Sequence, residues 1–213
     1  MMSKQGKFIT VEGIEGAGKS TAIKFIQEYL VQHSIDVVVT REPGGTEIAE
    51  AIRRVLLDYY EEDMSRDAEL LLFFAARAQH IARVIKPALA AGKVVLCDRF
   101  TDASFAYQCG GRGIDEDHLA VLETWVQGDL RPDLTILMDL PVDVGMERAR
   151  NRSAPDRFEA EQHQFFERVR QCYLDRAKRY SERFRIVDAG VSLDEIKQSL
   201  FQLIDGELGI KNG

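Results

Sequence analysis

One stretch near the start of the chain reads Gly13-Ile14-Glu15-Gly16-Ala17-Gly18-Lys19-Ser20 and matches G-x-x-x-x-G-K-[ST], the pattern of a phosphate-binding P-loop. Its glycines let the backbone curl, so that successive N–H groups point inward at phosphate oxygens. Lys19 would place a cation against the β- and γ-phosphates, and the Ser20 hydroxyl would ligate Mg²⁺. The stretch therefore predicts a nucleotide site, which the dipole of the following helix would favour further.

The residues around this loop predict the strand, loop and helix that the motif requires. Residues 7–12 are typical of a short apolar strand, and residues 18–32 carry apolar side chains at helical spacing. Four more strand-like runs follow along the chain: 35–40, 93–98, 133–139 and 184–188. Five strands alternating with helices predict a P-loop NTPase-like three-layer α/β/α fold, with a five-stranded parallel sheet and helices on both of its faces.

Helical patterns occupy most of the remaining chain: 47–57, 67–90, 115–126, 142–150 and 158–182, with a last helix after Ser192. Thr46 is a candidate cap for the second helix, and Ser192 with Glu195 predicts a capping box. Pro87 predicts a kink or a break within 67–90.

Composition narrows the class of protein. The 213 residues are enough for one domain with a small lid, and 45% hydrophobic with 30% charged residues is typical of soluble globular proteins. The net charge of −7 argues against a nucleic-acid or membrane partner recruited by bulk charge. Three distant cysteines without a CxxC motif, and the lack of a signal peptide or long apolar run, lead us to expect a cytoplasmic protein.

A second phosphate-site signal lies at the end of the third strand. Residues 93–97 are mostly apolar and lead directly to Asp98 and then Arg99. An apolar strand that ends in aspartate is typical of a Walker-B element, whose carboxylate holds Mg²⁺ directly or through water. Ser20 and Asp98 are therefore the candidate magnesium ligands.

Two further segments suggest ligand contacts. Residues 40–46 read TREPGGT and predict a tight turn at a strand's carboxyl end, where open α/β sheets bind ligands. By its residues alone this turn is either part of a site or an ordinary strand-to-helix turn. Residues 148–157 hold Arg148, Arg150, Arg152 and Arg157 in an otherwise acidic chain. That local reversal of charge suits a phosphate clamp of the arginine-finger type, on a lid at about 148–160.

Three classes of P-loop protein compete for these features. A GTPase switch would need Asp-x-x-Gly after the third strand and an Asn-Lys-x-Asp motif, and the chain has neither. A motor-type ATPase usually has a longer chain and an acidic pair at the Walker-B strand, whereas Arg99 follows Asp98 here. A small phosphotransferase fits best, and Arg53, Arg77 and Arg99 could hold an acceptor that carries its own phosphate.

Five motifs, in order across essentially the whole chain, together resemble the thymidylate kinase (dTMP kinase) family: residues 12–20, 40–46, 73–77 (FFAAR), 98–100 (DRF), and 106–108 (AYQ) with 110–113 (GGRG). The resemblance implies that ATP and dTMP are converted to ADP and dTDP with Mg²⁺, on the way to dTTP, by a homodimer packed through helices. The alternatives are a kinase of another nucleoside monophosphate or of a nucleoside, and a regulatory nucleotide-binding module.

The resemblance also implies a donor site for ATP, whose residues would be Gly13, Gly16, Ala17, Gly18, Lys19, Ser20, Thr21, Arg148 and Arg157. Some members of the family carry a catalytic arginine inside the P-loop, where this chain has Gly16. The chain is therefore similar to the bacterial form, in which a lid arginine reaches over the phosphates. Arg152 is our first choice for this arginine, followed by Arg148 and Arg157.

At the acceptor end, the resemblance assigns the sugar and phosphate of dTMP to four residues. Glu15 would lie near the 3′-hydroxyl, Arg53 and Arg99 would grip the phosphate, and Tyr107 would lie against the 2′ position. Lys19, Arg152, Glu15 and Arg99 form the implied catalytic set.

The base of dTMP would be held by a further group of residues. Phe74 would stack on thymine, Arg77 would donate to its carbonyl edge, and Ser104 and Gln108 would line the pocket. Glu42-Pro43 resembles the cis-proline turn that shapes this pocket in the family.

Overall fold

The computed structural model describes residues 6–150, 157–158 and 161–210. One sheet contains five strands: β1 Phe8–Glu12, β2 Val37–Arg41, β3 Val94–Asp98, β4 Leu134–Asp139 and β5 Phe184–Asp188. All pairings are parallel and the spatial order is β2-β3-β1-β4-β5. The prediction of a five-stranded parallel sheet is confirmed.

Helices flank this sheet. Within the described residues they are α1 Lys19–Gln32, α2 Glu47–Leu57, α3 Arg66–His80, α4 Lys86–Ala90, α5 Thr101–Ser104, α6 Glu116–Gln127, α7 Val142–Arg150, α8 His163–Arg179 and α9 Leu193–Leu208. Thr46 caps α2 by accepting from the Ala49 N–H, and Ser192 and Glu195 form the expected capping box of α9. None of the described helices combines the length and apolar character needed to cross a bilayer.

Two helices depart from the straight α form. The helix expected over 67–90 consists of α3 and α4 joined by a π-helical turn, Ile81–Ile85. Pro87 explains the interruption, because it lacks an N–H and its ring displaces the carbonyl four residues earlier. A second π-helical segment, Phe105–Gly111, continues α5. The sequence predicted neither α5 nor this segment. The helix expected over 158–182 begins only at His163.

The sheet register brings the sequence motifs together. Val11 pairs with Asp98, and Arg41 pairs with Asp98 from the other side. The amide of Arg99 donates to the Val11 carbonyl at 3.0 Å, and the amide of Glu42 donates to the Asp98 carbonyl at 2.9 Å. The P-loop, the Walker-B aspartate and the 40–46 turn therefore meet at one edge of the sheet, as expected for the carboxyl ends of parallel strands.

Candidate active site

The P-loop backbone takes a shape that glycine favours. Gly13, Gly16 and Gly18 have φ values of 139°, 75° and 82°. A Cβ on Gly16 would lie 1.9 Å from the carbonyl oxygen of Gly145 in α7. Position 16 therefore excludes any side chain while α7 stays in place, which is the physical reason that an arginine could not stand there in this loop.

The side chain of Lys19 packs back against the P-loop backbone. Its Nζ donates to the carbonyls of Gly13 and Ile14 at 3.0 and 2.9 Å. Burial is the main cause and the nearby positive charge of Arg99 the second of a lowered pKa for Lys19, which is about 8. A bound phosphate would restore the charged form, since opposite charge raises a lysine's pKa.

Ser20 and Asp98 both line one cavity beside the P-loop. Ser20 is exposed in the first turn of α1, and the Asp98 Oδ1 is buried without a hydrogen-bond partner among the described residues. A buried carboxylate oxygen without a donor suits a hard cation. The described residues contain no cluster of three or more acidic, histidine or cysteine ligands, so one serine and one aspartate fit Mg²⁺ only with water and phosphate completing its shell.

An ionic network crosses from the P-loop to the end of β3. Arg99 Nη2 donates to Glu15 Oε1 at 2.9 Å and to Tyr107 Oη at 2.9 Å, and Tyr107 donates to Glu15 Oε2 at 2.6 Å. These anionic and phenolic neighbours hold the pKa of Arg99 well above its ordinary value despite burial, so the residue stays charged. Glu15, Arg99 and Tyr107 thus come together as expected from the sequence.

A second layer, which sequence reasoning missed, supports this network from behind. Arg99 Nη1 donates to Tyr173 Oη at 3.1 Å, and Tyr173 donates to Glu12 Oε2 at 2.7 Å. The Phe100 amide donates to the other oxygen of Glu12 at 2.7 Å. Burial raises the pKa of Glu12 to about 8, with Asp102 adding to the rise. The only signal in the sequence was an acidic residue at the end of a largely apolar strand.

A cavity of about 240 Å³ joins the P-loop to the acceptor-side motifs. Its lining includes most of the residues that the sequence assigned to the acceptor: Glu15, Glu42, Pro43, Arg53, Arg77, Arg99, Ser104, Tyr107 and Gln108. Gly16, Lys19 and Asp98 line the same cavity. The peptide bond between Glu42 and Pro43 is cis, and the Pro43 carbonyl accepts from Arg53 Nη1 at 2.9 Å.

Arg77 is a buried cation with one donor left for a ligand. Its Nε donates to Glu42 Oε2 at 2.7 Å, its Nη2 donates to Ser104 at 3.0 Å, and its guanidinium lies over the ring of Phe74. Its Nη1 has no hydrogen-bond partner among the described residues, although the side chain is 1% exposed. Leaving a buried donor unpaired costs about 1–3 kcal/mol, so this atom favours an acceptor group in the cavity.

Phe74 is not placed where the sequence assigned it. It is 2% exposed and packs in a core cluster with Leu70 and Phe105, and it does not line the cavity. Phe73, one position earlier and one helical face away, lines the cavity instead. The helical rotation between adjacent residues explains the difference, because the FFAAR motif offers two neighbouring rings and only the fold selects one.

The two described lid arginines that the sequence assigned to ATP occupy different places. Arg157 donates to Glu69 Oε2 at 2.6 Å and to the Leu56 carbonyl at 3.0 Å, and it lines none of the three cavities that contain P-loop residues. The buried Glu69 carboxylate, which also accepts from Gln108 at 3.0 Å, draws Arg157 to the acceptor side. In this structure Arg157 is therefore placed beside Glu69 and away from the P-loop cavities, unlike the placement that its assignment to ATP implies.

Arg148 is better placed for the donor. It lines a separate cavity of about 280 Å³ with the P-loop residues Gly16, Ala17, Gly18 and Thr21. Its Nη1 donates to the Ala189 carbonyl at 2.9 Å. Arg152 lies outside the described residues.

Comparisons with known proteins extend over nearly all of this chain. A family model described as thymidylate kinase matches residues 11–200. Thymidylate kinases of Pseudomonas putida and Pseudomonas syringae pv. tomato are 57% and 55% identical, covering 95% and 98% of this chain and 97% and 99% of those proteins. The crystal structure of thymidylate kinase from Ehrlichia chaffeensis aligns with a TM-score of 0.76 at 32% identity, covering 94% of this chain and 99% of that one.

Proposed function

The chain belongs to the thymidylate kinase family and transfers the γ-phosphoryl group of ATP to dTMP in dTTP synthesis, and we propose that the cavity beside the P-loop is the place of transfer. One observation carries this assignment. The same cavity is lined by Lys19 and Asp98, which belong to the P-loop and Walker-B motifs, and by Arg77 and Ser104, which belong to the acceptor-side motifs. A donor phosphate and an acceptor base therefore fit into one continuous space.

For the donor, we propose that the P-loop amides and Lys19 hold the ATP phosphates. The separate cavity beside the loop, with Thr21 and Arg148 on its wall, would take the nucleoside part of ATP. Ser20 and Asp98 would hold Mg²⁺, which supplies neutralisation of phosphate charge when bound.

For the acceptor base, the unpaired Nη1 of Arg77 would donate to a thymine carbonyl. Phe73, and not Phe74 as the resemblance implies, would stack on the ring. Ser104 and Gln108 are buried polar residues that line the same cavity. Their burial supports recognition of a base whose polar edge groups are held away from water. Buried polar groups of this kind discriminate strongly, because a wrong base would leave them unpaired.

For the sugar and phosphate, we propose the network of Arg99, Glu15 and Tyr107, which lines the same cavity as Lys19 and Arg77. Arg99 and Arg53 would bind the dTMP phosphate, Glu15 would lie near the 3′-hydroxyl, and Tyr107 would lie against the 2′ position. The transition state of phosphoryl transfer is loose, so these residues act by positioning and charge neutralisation rather than by covalent participation. From the sequence, Arg152 would complete the site from the lid and help exclude water.

A comparison of dTMP with thymidine tests the phosphate assignment. Calorimetric titration of wild type and Arg53→Met should show weaker dTMP binding by about tenfold in the variant, the effect of one charged hydrogen bond, with thymidine binding unchanged. Equal loss for both ligands would show that Arg53 shapes the cavity without binding the phosphate. An unchanged affinity for both would remove Arg53 from the site.

We also propose that the enzyme is a homodimer through α2, α3 and α6. These helices expose a set of large apolar side chains: Ile48, Val55, Leu71, Val121 and Trp125, the last 81% exposed. α3 packs against both α2 and α6, so the three helices form one continuous surface. Sedimentation should show that Trp125→Glu becomes monomeric, whereas Ile186→Glu, an exposed apolar control on β5, stays dimeric. A dimeric Trp125→Glu would place the interface elsewhere.

A cytoplasmic location fits this proposal. The cysteines Cys97, Cys109 and Cys172 are all free thiols, as is usual in a reducing compartment.

A further inference from the structure

Four side chains in and behind the wall of the acceptor cavity form a continuous chain of hydrogen bonds, in which Thr40 is half-buried and the other three are buried. Arg77 Nε donates to Glu42 Oε2 at 2.7 Å, and His80 Nδ1 lies 3.0 Å from Glu42 Oε1. His80 Nε2 lies 2.7 Å from Thr40 Oγ1. The side chains of Arg77, Glu42 and His80 are 1%, 4% and 0% exposed. His80 itself does not line the cavity, and the sequence analysis assigned it no role.

The hydrogen-bond chemistry fixes the direction of this chain. A carboxylate oxygen only accepts, so the proton between His80 and Glu42 belongs to Nδ1. In the neutral ring Nε2 is then an acceptor, and the Thr40 hydroxyl donates to it. Both oxygens of Glu42 are thereby occupied, one by His80 and one by Arg77, and the carboxylate is held against rotation about its χ angles.

The surrounding backbone is shaped around the imidazole. A Cβ on Gly45 would lie 2.7 Å from His80 Nε2 and 2.6 Å from Thr40 Oγ1. Gly45 has a φ of 82°, so the 40–46 turn passes directly over the ring at the only kind of residue that leaves room for it. The α3 helix also changes to π-helical geometry immediately after His80.

We propose that His80 is a positioning residue for the acceptor base. By donating to one oxygen of Glu42, it orients the other oxygen toward Arg77 and leaves Arg77 Nη1 available to an acceptor group in the cavity that Arg77 lines. This inference rests on the proposed role of Arg77 in binding the base. Without the imidazole donor, Glu42 can turn and Arg77 can follow it, so binding of dTMP weakens while the P-loop end of the site is unaffected.

Three substitutions at His80 separate positioning from simple packing. His80→Asn places an amide nitrogen near the position of Nδ1 and keeps a donor for Glu42. His80→Gln reaches toward Thr40, and His80→Leu fills space without any donor. We expect the KM for dTMP to rise about tenfold in the Leu and Gln variants and to stay within about threefold of wild type in the Asn variant. The kcat and the KM for ATP should change less than about twofold in all three.

A double-substitution cycle with Arg77→Met completes the test, with melting temperatures checked for every variant. If His80 acts through Arg77, then His80→Leu should raise the KM for dTMP in the wild-type background and have almost no effect in Arg77→Met. Additive effects, or equal changes in the KM for dTMP and for ATP, would overturn the role of His80 alone. An unchanged KM for dTMP in the single variant Arg77→Met would refute the proposed role of Arg77, and the inference about His80 with it.

Discussion

Arg99 and Glu15 form an ion pair between the end of β3 and the P-loop, with Nη2 2.9 Å from Oε1. Arg99 holds this position with a φ of 66°, which is rare for a residue other than glycine. Such backbone strain persists only where surrounding contacts maintain it, and it is common at functional sites. In the proposed reaction Arg99 binds the acceptor phosphate, and the P-loop, which contains Glu15, binds the ATP phosphates. The ion pair therefore holds the acceptor-binding arginine next to the donor-binding loop.

The first prediction concerns the charge of Glu15. Glu15→Gln removes the anion that orients Arg99 and that also accepts from Tyr107. The loss of one charged hydrogen bond costs about 1.5–3 kcal/mol, so kcat with dTMP should fall about 10- to 100-fold. Steady-state kinetics measures this, with Glu47→Gln as an exposed matched control in the first turn of α2. A wild-type kcat in Glu15→Gln would show that the pair is only structural.

The second prediction separates the two adjacent phenylalanines. Phe73→Ala should raise the KM for dTMP about tenfold or more with little loss of stability, because the ring faces the cavity. Phe74→Ala should cost about 3–5 kcal/mol of folding free energy, because it empties a buried core position. Denaturant unfolding and kinetics on both variants make the comparison. The reverse pattern would restore Phe74 as the stacking residue.

The third prediction follows from the lowered pKa of Lys19. Phosphate stabilises the charged lysine, so the pKa of Lys19 in the ATP complex lies above its value of about 8 in the free enzyme. Between these two pKa values the free enzyme must take up a proton to bind ATP. Affinity for ATP should therefore fall as pH rises above 8, by up to about tenfold per pH unit.

Calorimetry in buffers of different ionisation enthalpy measures that proton directly. Wild type should take up close to one proton per ATP at pH 9 and much less at pH 7. Lys19→Arg carries a charge that does not titrate in this range, so its uptake at pH 9 should be absent. Equal proton uptake in wild type and Lys19→Arg would assign the titration to another group.

The fourth prediction concerns the lid. Arg152→Ala should lower kcat far more than it raises the KM for dTMP, since an arginine finger supplies about 10³–10⁵ in rate. Arg150→Ala, two residues earlier in an exposed position at the end of α7, is the matched control and should retain nearly full activity. Unchanged single-turnover chemistry in Arg152→Ala would remove Arg152 from the catalytic set.

The sequence predicted the parts of the molecule whose signals are local. The P-loop, the strand ending in Asp98 and the caps at Thr46 and Ser192 each depend on a few adjacent residues, and each was confirmed in the structure. Parallel strands follow from apolar runs separated by helical patterns, so the sheet was predictable too.

Features that depend on distant partners were not predictable from local pattern. The helix that begins at Thr101 was missed, because the charged residue Asp102 occupies a buried position and interrupts the helical spacing of apolar residues. Asp102 is neutralised there by Arg176 and Arg183, from a part of the chain more than 70 residues away, with N–O distances of 2.6 and 2.7 Å. These ion pairs lower the pKa of Asp102 and allow a charge in the interior.

The same limit explains the errors within the site. An arginine in a basic segment suggests phosphate binding, but Arg157 pairs with Glu69, which no local pattern connects to it. Tyr173, which accepts from Arg99, donates to Glu12, and Glu12 and Tyr173 are 161 positions apart in the sequence. Residue types indicated the reaction, whereas tertiary contacts determine which of two neighbouring side chains, Phe73 or Phe74, lines the cavity.

The most direct test of the account measures ADP release by the wild-type enzyme with five acceptors in turn: dTMP, dUMP, dCMP, dGMP and AMP. The cavity that joins Lys19 to Arg77 predicts Mg²⁺-dependent release that is far faster with dTMP than with any other acceptor. Release at one rate whatever the acceptor would indicate ATP hydrolysis without transfer, and a preference for dCMP, dGMP or AMP would contradict the assignment of the Arg77 wall to thymine.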